Sequence, residues 1–274
     1  MRLVTVARAD GSTLAARRDG DELHAFVDEL GLNYPDVGAL LRGLVDDAAT
    51  EPLAGDHRIV RPVLFPSAIV CAGVNYGAHV REMGRETPTS PTLFLKLAQA
   101  LTDPDATVAI PAESSKVDYE GELVAVIGRG GRRIPREQAL EHVAGVTLMN
   151  DVTMRDFQYR SLQWFAGKSW HASTPIGPEI VTLDELGDLA ALELTTAVNG
   201  EVRQTGAIGD LIFDIPALIA DISQVIELSP GDLIATGTPG GVGHAMDPPR
   251  YLAPGDVVEI TIDGVGTLRT TFAA

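Results

Sequence analysis

Two glutamates, Glu120 and Glu122, stand two residues apart at the mouth of the apolar run that ends at Gly128. In an extended strand the side chains at i and i+2 point to one face, so both carboxylates would look the same way, a few ångströms apart. Like charges that close repel unless a cation lies between them. An all-oxygen donor set suits a hard ion such as Mg²⁺, Mn²⁺ or Ca²⁺ rather than zinc. The plainer alternative is a solvated, charged strand end. Asp151 closes a second apolar run, residues 145–151, and offers a third carboxylate. It could equally cap a helix formed by the residues that follow it.

Three further groups carry chemistry-bearing side chains. His79 and Glu82 are three apart and would share a face of a short helix. A carboxylate beside an imidazole fixes its tautomer and makes a competent general base, although a surface pair of no consequence has the same spacing. Lys168 lies among Trp164, Phe165 and Trp170. If buried it needs an anionic partner; if its head reaches water it needs none. Residues 235–243 run from a strand into a glycine-rich turn with two hydroxyls, a geometry that exposes backbone N–H groups to anions. It is not a P-loop, because the Gly-Lys-Ser/Thr ending is missing.

The elements that must hold these residues are mostly strands. Apolar or alternating runs recur at residues 67–74, 92–98, 122–128, 145–151, 192–198, 232–238, 257–262 and 266–272. Asn199-Gly200 between two of them predicts a type I′ hairpin. Residues 215–228 give the clearest helical pattern, residues 136–144 behind Pro135 a second, and residues 35–48 a third. Strands do not alternate regularly with helices, so a doubly wound sheet is not expected. The reading is α+β, mainly β with some α, in layered and mostly antiparallel sheets. Residues 1–60 read as a small β-rich N-terminal domain with residues 50–59 as a linker, and residues 61–274 as the catalytic domain.

Composition narrows the function. The net charge of −17 disfavours nucleic acid as a partner and would repel anionic substrates unless a local cation reverses the field. Cys71 is the single cysteine, so no internal disulfide can form and a cytoplasmic location is expected. Its apolar setting reads as core. No signal peptide or membrane span is expected.

Taken in order, His79-x-x-Glu82 after Asn75-Tyr76, then Asp118-Tyr-Glu-Gly-Glu-Leu123, Asn150-Asp-Val-Thr-Met-Arg-Asp-Phe-Gln158, Gly167-Lys-Ser-Trp170 with Thr174-Pro-Ile-Gly-Pro178, and Thr236-Gly-Thr-Pro-Gly-Gly-Val-Gly243 resemble the fumarylacetoacetate hydrolase superfamily. The likeness runs from about Pro62 to the C-terminus and is nearest to the bacterial branch of acylpyruvate hydrolases, oxaloacetate decarboxylases and hydroxyheptadienedioate isomerases. The resemblance implies a mixed β-roll of several sheet layers, a homodimer, and Mg²⁺ or Mn²⁺ on Glu120, Glu122 and Asp151. It implies His79 and Glu82 as a catalytic dyad on a segment that folds over the site, and Lys168 as the site lysine. Arg155, Gln158, Gly237 and Thr238 are implied as substrate-binding positions. One departure stands out: many members read Ser-Phe-Asp-Thr after the lysine, whereas this chain has Ser169-Trp170-His171-Ala172.

The expected activity is metal-dependent hydrolysis of a C–C bond in an acylpyruvate-like 1,3-diketo acid. The alternative is decarboxylation or tautomerisation of a keto diacid such as oxaloacetate or 2-hydroxyhepta-2,4-diene-1,7-dioate. A reading of another class is a non-catalytic, metal-dependent keto-acid binder.

Overall fold

The strand Gly121–Ile127 is buried at every position, which explains why its sequence is apolar almost throughout instead of alternating. Leu123, Ala125 and Ile127 pack with Leu194, Ile260 and Phe272 of a second sheet. Val124 and Val126 belong to a different core, with Met149, Ile176 and Leu233. By the period of two, Glu122 shares the face of Val124 and Val126.

The computed structural model describes residues 1–43, 49–77 and 87–274. Among these, a 12-stranded sheet forms the body. Its central neighbours run in the order Thr174–Val181, Val143–Asn150, Gly121–Ile127, Leu233–Ala235, Ile69–Gly73 and Thr92–Leu95. Most pairings are antiparallel; Leu233–Ala235 and Ile69–Gly73 run parallel. The strands Arg2–Ala7, Thr13–Asp19, Glu22–Val27 and Ala49–Pro52 continue the same sheet beyond Thr174–Val181. A five-stranded sheet led by Glu201–Ala207 and Glu193–Val198 packs over the central strands. The fold is thus mainly β, in several layers, with short helices at the periphery.

The local signals resolve unevenly. Val198 pairs with Glu201, and Asn199 and Gly200 both have positive φ (52° and 80°), as a type I′ turn requires. Ile215–Val225 is an α-helix capped by Asp214, which accepts from Ala217 N, with Ile215, Leu218, Ile219 and Ile222 buried. Residues 136–144 do not form an α-helix. Arg136–His142 is a 3₁₀ segment that buries only Ala139 and His142, three apart, before the chain enters the strand Val143–Asn150. Residues 50–59 are not a linker either: Ala49–Pro52 and Arg58–Val60 pair with Glu22–Val27 and Arg2–Ala7. The third helix spans Val37–Arg42, capped by Asp36. No helix among the described residues is long and apolar enough to cross a membrane.

Candidate metal centre and cleft

Register alone brings the three carboxylates together. Gly121 pairs with Asn150 and Glu122 with Met149, so the next step sets Glu120 against Asp151, whose N–H donates to Glu120 O at 2.8 Å. On the other side Val124 pairs with Ala235, which extends to Glu122 against Gly237. Gly237 N donates to Glu122 Oε2 at 3.0 Å. Glu120, Glu122 and Asp151 each offer an oxygen within 4.8 Å of the others, and all three are buried. Two glycines permit this closeness. A Cβ on Gly121 would stand 2.3 Å from Thr196 Oγ1 of the overlying sheet, and Gly237 has φ +94° with Ala72 O 2.8 Å from where its Cβ would be.

Asp151 does not cap a helix. The residue before the short helix Arg155–Gln158 is Met154, with no side-chain cap. Instead Asp151 Oδ2 accepts from Lys168 Nζ at 2.6 Å and Oδ1 from Lys96 Nζ at 2.5 Å. Lys168 also donates to Glu120 Oε2 at 2.8 Å and is 2 % exposed, so of its two readings the buried one holds. Arg155 reaches Glu120 Oε1 at 2.7 Å, Asp118 Oδ2 at 2.8 Å and Gln158 Oε1 at 3.0 Å. Thr238 lines the cleft, and its hydroxyl accepts from Gln204 Nε2 at 2.8 Å. The structure therefore gathers Glu120, Glu122, Asp151, Arg155, Gln158, Lys168, Gly237 and Thr238. His79 and Glu82 lie outside the described residues.

The electrostatics of the group are uneven. Burial raises the Glu122 carboxyl well above its ordinary range, and the neighbouring charges of Asp151 and Glu120 add to this. Burial pushes Asp151 the same way, but Lys168 and Lys96 outweigh it and hold its carboxyl below the usual value. Burial alone would lower Lys168, yet Asp151 and Glu120 raise it, so the ammonium stays charged. Asp118, Glu120, Glu122 and Asp151 face Lys96, Arg155 and Lys168, leaving one negative charge in excess when all are ionised. A divalent cation on the three carboxylates would turn that excess into a net positive charge. The all-oxygen, buried and over-anionic donor set fits such an ion.

Of these groups Glu120, Arg155 and Lys168 line a cleft of about 250 Å³ walled by Phe94, Trp164, Tyr159 and His244, and Glu122 and Asp151 lie buried beside them. Phe94 and Trp164 meet edge to face at 5.5 Å, and Lys168 Nζ lies 5.1 Å from the centre of the Phe94 ring. A wider groove of about 620 Å³, lined by Arg8, His57, Arg58 and Arg61, lies against the N-terminal strands and touches none of the cluster.

Residues 68–273 match the fumarylacetoacetate (FAA) hydrolase C-terminal family. The chain belongs to the fumarylacetoacetate hydrolase family. Its match covers the whole carboxylate cluster and the cleft. Over 211 residues the chain is 46% identical to the oxaloacetate tautomerase YisK of Bacillus subtilis, a match spanning 76% of this chain and 70% of that protein. Among solved structures it resembles the fumarylacetoacetate hydrolase of Exiguobacterium antarcticum (33% identity, TM-score 0.88, all of this chain and 99% of the other). It is also similar to the 2-hydroxyhepta-2,4-diene-1,7-dioate isomerase of Mycobacterium marinum (36% identity, TM-score 0.79, all of this chain and 98% of the other). This family member is accordingly an enzyme of the fumarylacetoacetate hydrolase superfamily, with tautomerases and isomerases among its relatives.

Sequence reasoning missed three residues of the cluster. Lys96 follows the strand Thr92–Leu95 and was visible as a cation inside an apolar run. Asp118 accepts from Gly243 N, His244 N and Arg155 and so ties the glycine-rich turn to the arginine. His244 has no local signal, because the turn that carries it is placed by contacts far along the chain. His171, which departs from the family pattern, is exposed in a separate groove with Arg61, Phe65 and Gln99. Ala172 beside it has φ +48° and donates its N–H to Gln99 O at 2.9 Å.

Proposed function

We propose that this enzyme holds a divalent cation, Mg²⁺ or Mn²⁺, on Glu120, Glu122 and Asp151 and catalyses proton transfer within a 2-keto diacid of the oxaloacetate type, as a tautomerase. The observation that carries the reading is the buried, over-anionic trio facing two lysines, with Glu120 and Lys168 lining a small cleft. When bound, the cation supplies Lewis-acid polarisation of the substrate's 2-oxo group.

The protein's own groups do the rest. Lys168, held charged between Glu120 and Asp151, offers a fixed positive charge where an enolate oxygen gains negative charge. Arg155 lines the same cleft; its Nη2 lies 2.8 Å from Asp118 Oδ2 without hydrogen-bond geometry to any acceptor among the described residues. The guanidinium, held by Glu120, Asp118 and Gln158, is thus a fixed positive charge at the cleft for a substrate carboxylate, with Thr238 lining the same cleft. Phe94 and Trp164 keep water from one wall, which strengthens each of these charges. His79, with Glu82 three residues on in the sequence, is proposed for the proton transfer at carbon. The enzyme is proposed to act as a homodimer.

The second reading is hydrolysis of an acylpyruvate, in which His79 would activate water instead. The family description favours it; the tautomerase and isomerase relatives favour proton transfer. Chelator-treated enzyme, reconstituted with Mg²⁺ or Mn²⁺, should speed the enol–keto interconversion of oxaloacetate and leave acetylpyruvate and fumarylpyruvate intact. Cleavage of either acylpyruvate would move the assignment to the hydrolase, and release of pyruvate from oxaloacetate to a decarboxylase. No turnover of any of them would leave a keto-acid binder.

A further inference from the structure

His244 stands at the outer end of a chain of contacts that begins at the carboxylate trio. Glu120 holds Arg155 at 2.7 Å, Arg155 holds Asp118 at 2.8 Å, and Asp118 accepts the backbone N–H of His244 at 3.0 Å. The His244 backbone is therefore tied to Arg155 through Asp118, and the residue lines the same cleft. Its Nδ1 is 2.9 Å from the Tyr251 hydroxyl. Its ring is 5.3 Å from that of Tyr159, which is 59% exposed and marks the mouth. Nε2 has no hydrogen-bond partner among the described residues and is not sealed from solvent.

Two features bear on what Nε2 offers. Burial, and then Arg155, hold the imidazole below its ordinary range, so it is neutral near pH 7. Burial, and then Asp118, raise the Tyr251 phenol, so it keeps its proton. In the arrangement where the phenol O–H donates to Nδ1, the single ring proton is on Nε2, a neutral donor on a side chain that lines the cleft.

We propose that His244, set by Tyr251, is a specificity residue that donates Nε2–H to the distal carboxylate of a keto diacid whose 2-oxo acid end sits at the carboxylate trio. This inference rests on the keto-acid reading above and goes beyond it by naming the residue that separates a diacid from a ligand with no distal carboxylate. A neutral donor suits this role, because Arg155 already supplies charge and a second fixed cation would bind any anion in the cleft regardless of its length.

The test uses two unreactive ligands on the Mg²⁺-loaded enzyme, measured by calorimetry. Oxalate has no distal end; 3,3-difluorooxaloacetate keeps the distal carboxylate but cannot enolise. His244→Leu should weaken difluorooxaloacetate about 10-fold and oxalate less than about 2-fold, the size of one hydrogen bond to a charged group. Tyr251→Phe should weaken difluorooxaloacetate about 3-fold by releasing the tautomer. His244→Gln, which keeps an N–H donor, should recover most of the native affinity. Retained oxalate binding also shows that each variant is folded. Equal losses for both ligands, or no loss for either, would overturn the role of His244. Failure of the native enzyme to bind oxalate at all would instead sink the keto-acid reading, and the inference with it.

Discussion

Two glutamates are buried to the same degree in this protein and live in opposite surroundings. Glu179, on the strand Thr174–Val181, is 1% exposed and meets two arginines, Arg2 and Arg18, from the N-terminal strands. Glu122, also 1% exposed, has one backbone N–H from Gly237 and two carboxylates, Glu120 and Asp151, beside it. The first is a closed ion cluster that fastens Arg2–Ala7 to the sheet. The second is short of positive charge. Burial of an acid is thus no sign of function by itself; the balance of its partners is.

The largest effect should come from breaking the deficient cluster at its best-connected member. Asp151→Asn is expected to lower kcat/KM for oxaloacetate tautomerisation about 10³-fold, a loss typical of removing a principal charge-stabilising element. Glu179→Gln should leave that rate within about 2-fold, since it touches neither cleft nor trio. Steady-state kinetics on both variants checks the contrast.

Next in size is Lys96→Met. Lys96 has no exposed side-chain surface, and Asp151 is its carboxylate partner. Removing one side of a buried pair costs about 3 kcal/mol, so denaturant unfolding of the chelated protein should show a loss of that order. Added Mg²⁺ should recover more stability in this variant than in the native protein, because the trio then carries a larger uncompensated charge. A loss that Mg²⁺ leaves unchanged would mean that Lys96 acts through packing alone.

The smallest effect separates the two glutamates by sign. Glu122 has a carboxyl pKa raised above its ordinary 4.5. The folded state then binds the proton more tightly than the unfolded state, so ionising Glu122 costs stability as pH rises through and above 4.5. In chelator-treated protein Glu122→Gln should therefore raise the melting temperature near pH 7 by about 3 °C. The gain should vanish as pH falls below 4.5. Glu179→Gln should lower the melting temperature near pH 7 by a similar amount, about 3 °C, since it leaves Arg2 and Arg18 without their shared partner. Thermal melts across pH decide it, and a destabilising Glu122→Gln would mean that the site is already balanced without a cation.

Much of this comparison was legible in the chain, and the reasons differ by residue. Glu120, Glu122 and Asp151 stand at the ends of apolar runs, where a charge is conspicuous and the strand period fixes its face. Lys168 was marked by its aromatic neighbours. Lys96 carried the same kind of signal, a lysine within an apolar run, and its partner could not be named because Asp151 lies 55 residues on. The pairing of Arg2–Ala7 with Thr174–Val181, and so the Glu179 cluster, depends on contacts across most of the chain that no local pattern encodes. His244 is the extreme case: its position depends on Gly243, where a Cβ would stand 1.9 Å from Arg250 O, and on an Asp118 more than a hundred residues earlier. The helix expected at residues 136–144 failed because a short segment between Pro135 and a strand tightened into 3₁₀ turns.

Calorimetric titration of chelator-stripped protein with Mg²⁺ and Mn²⁺, on the native chain beside Asp151→Asn and Glu179→Gln, tests the central claim most directly. One cation per chain is expected in the native protein and in Glu179→Gln, and no measurable binding in Asp151→Asn. Native protein that binds neither ion, or an Asp151→Asn variant that binds as the native does, would contradict it.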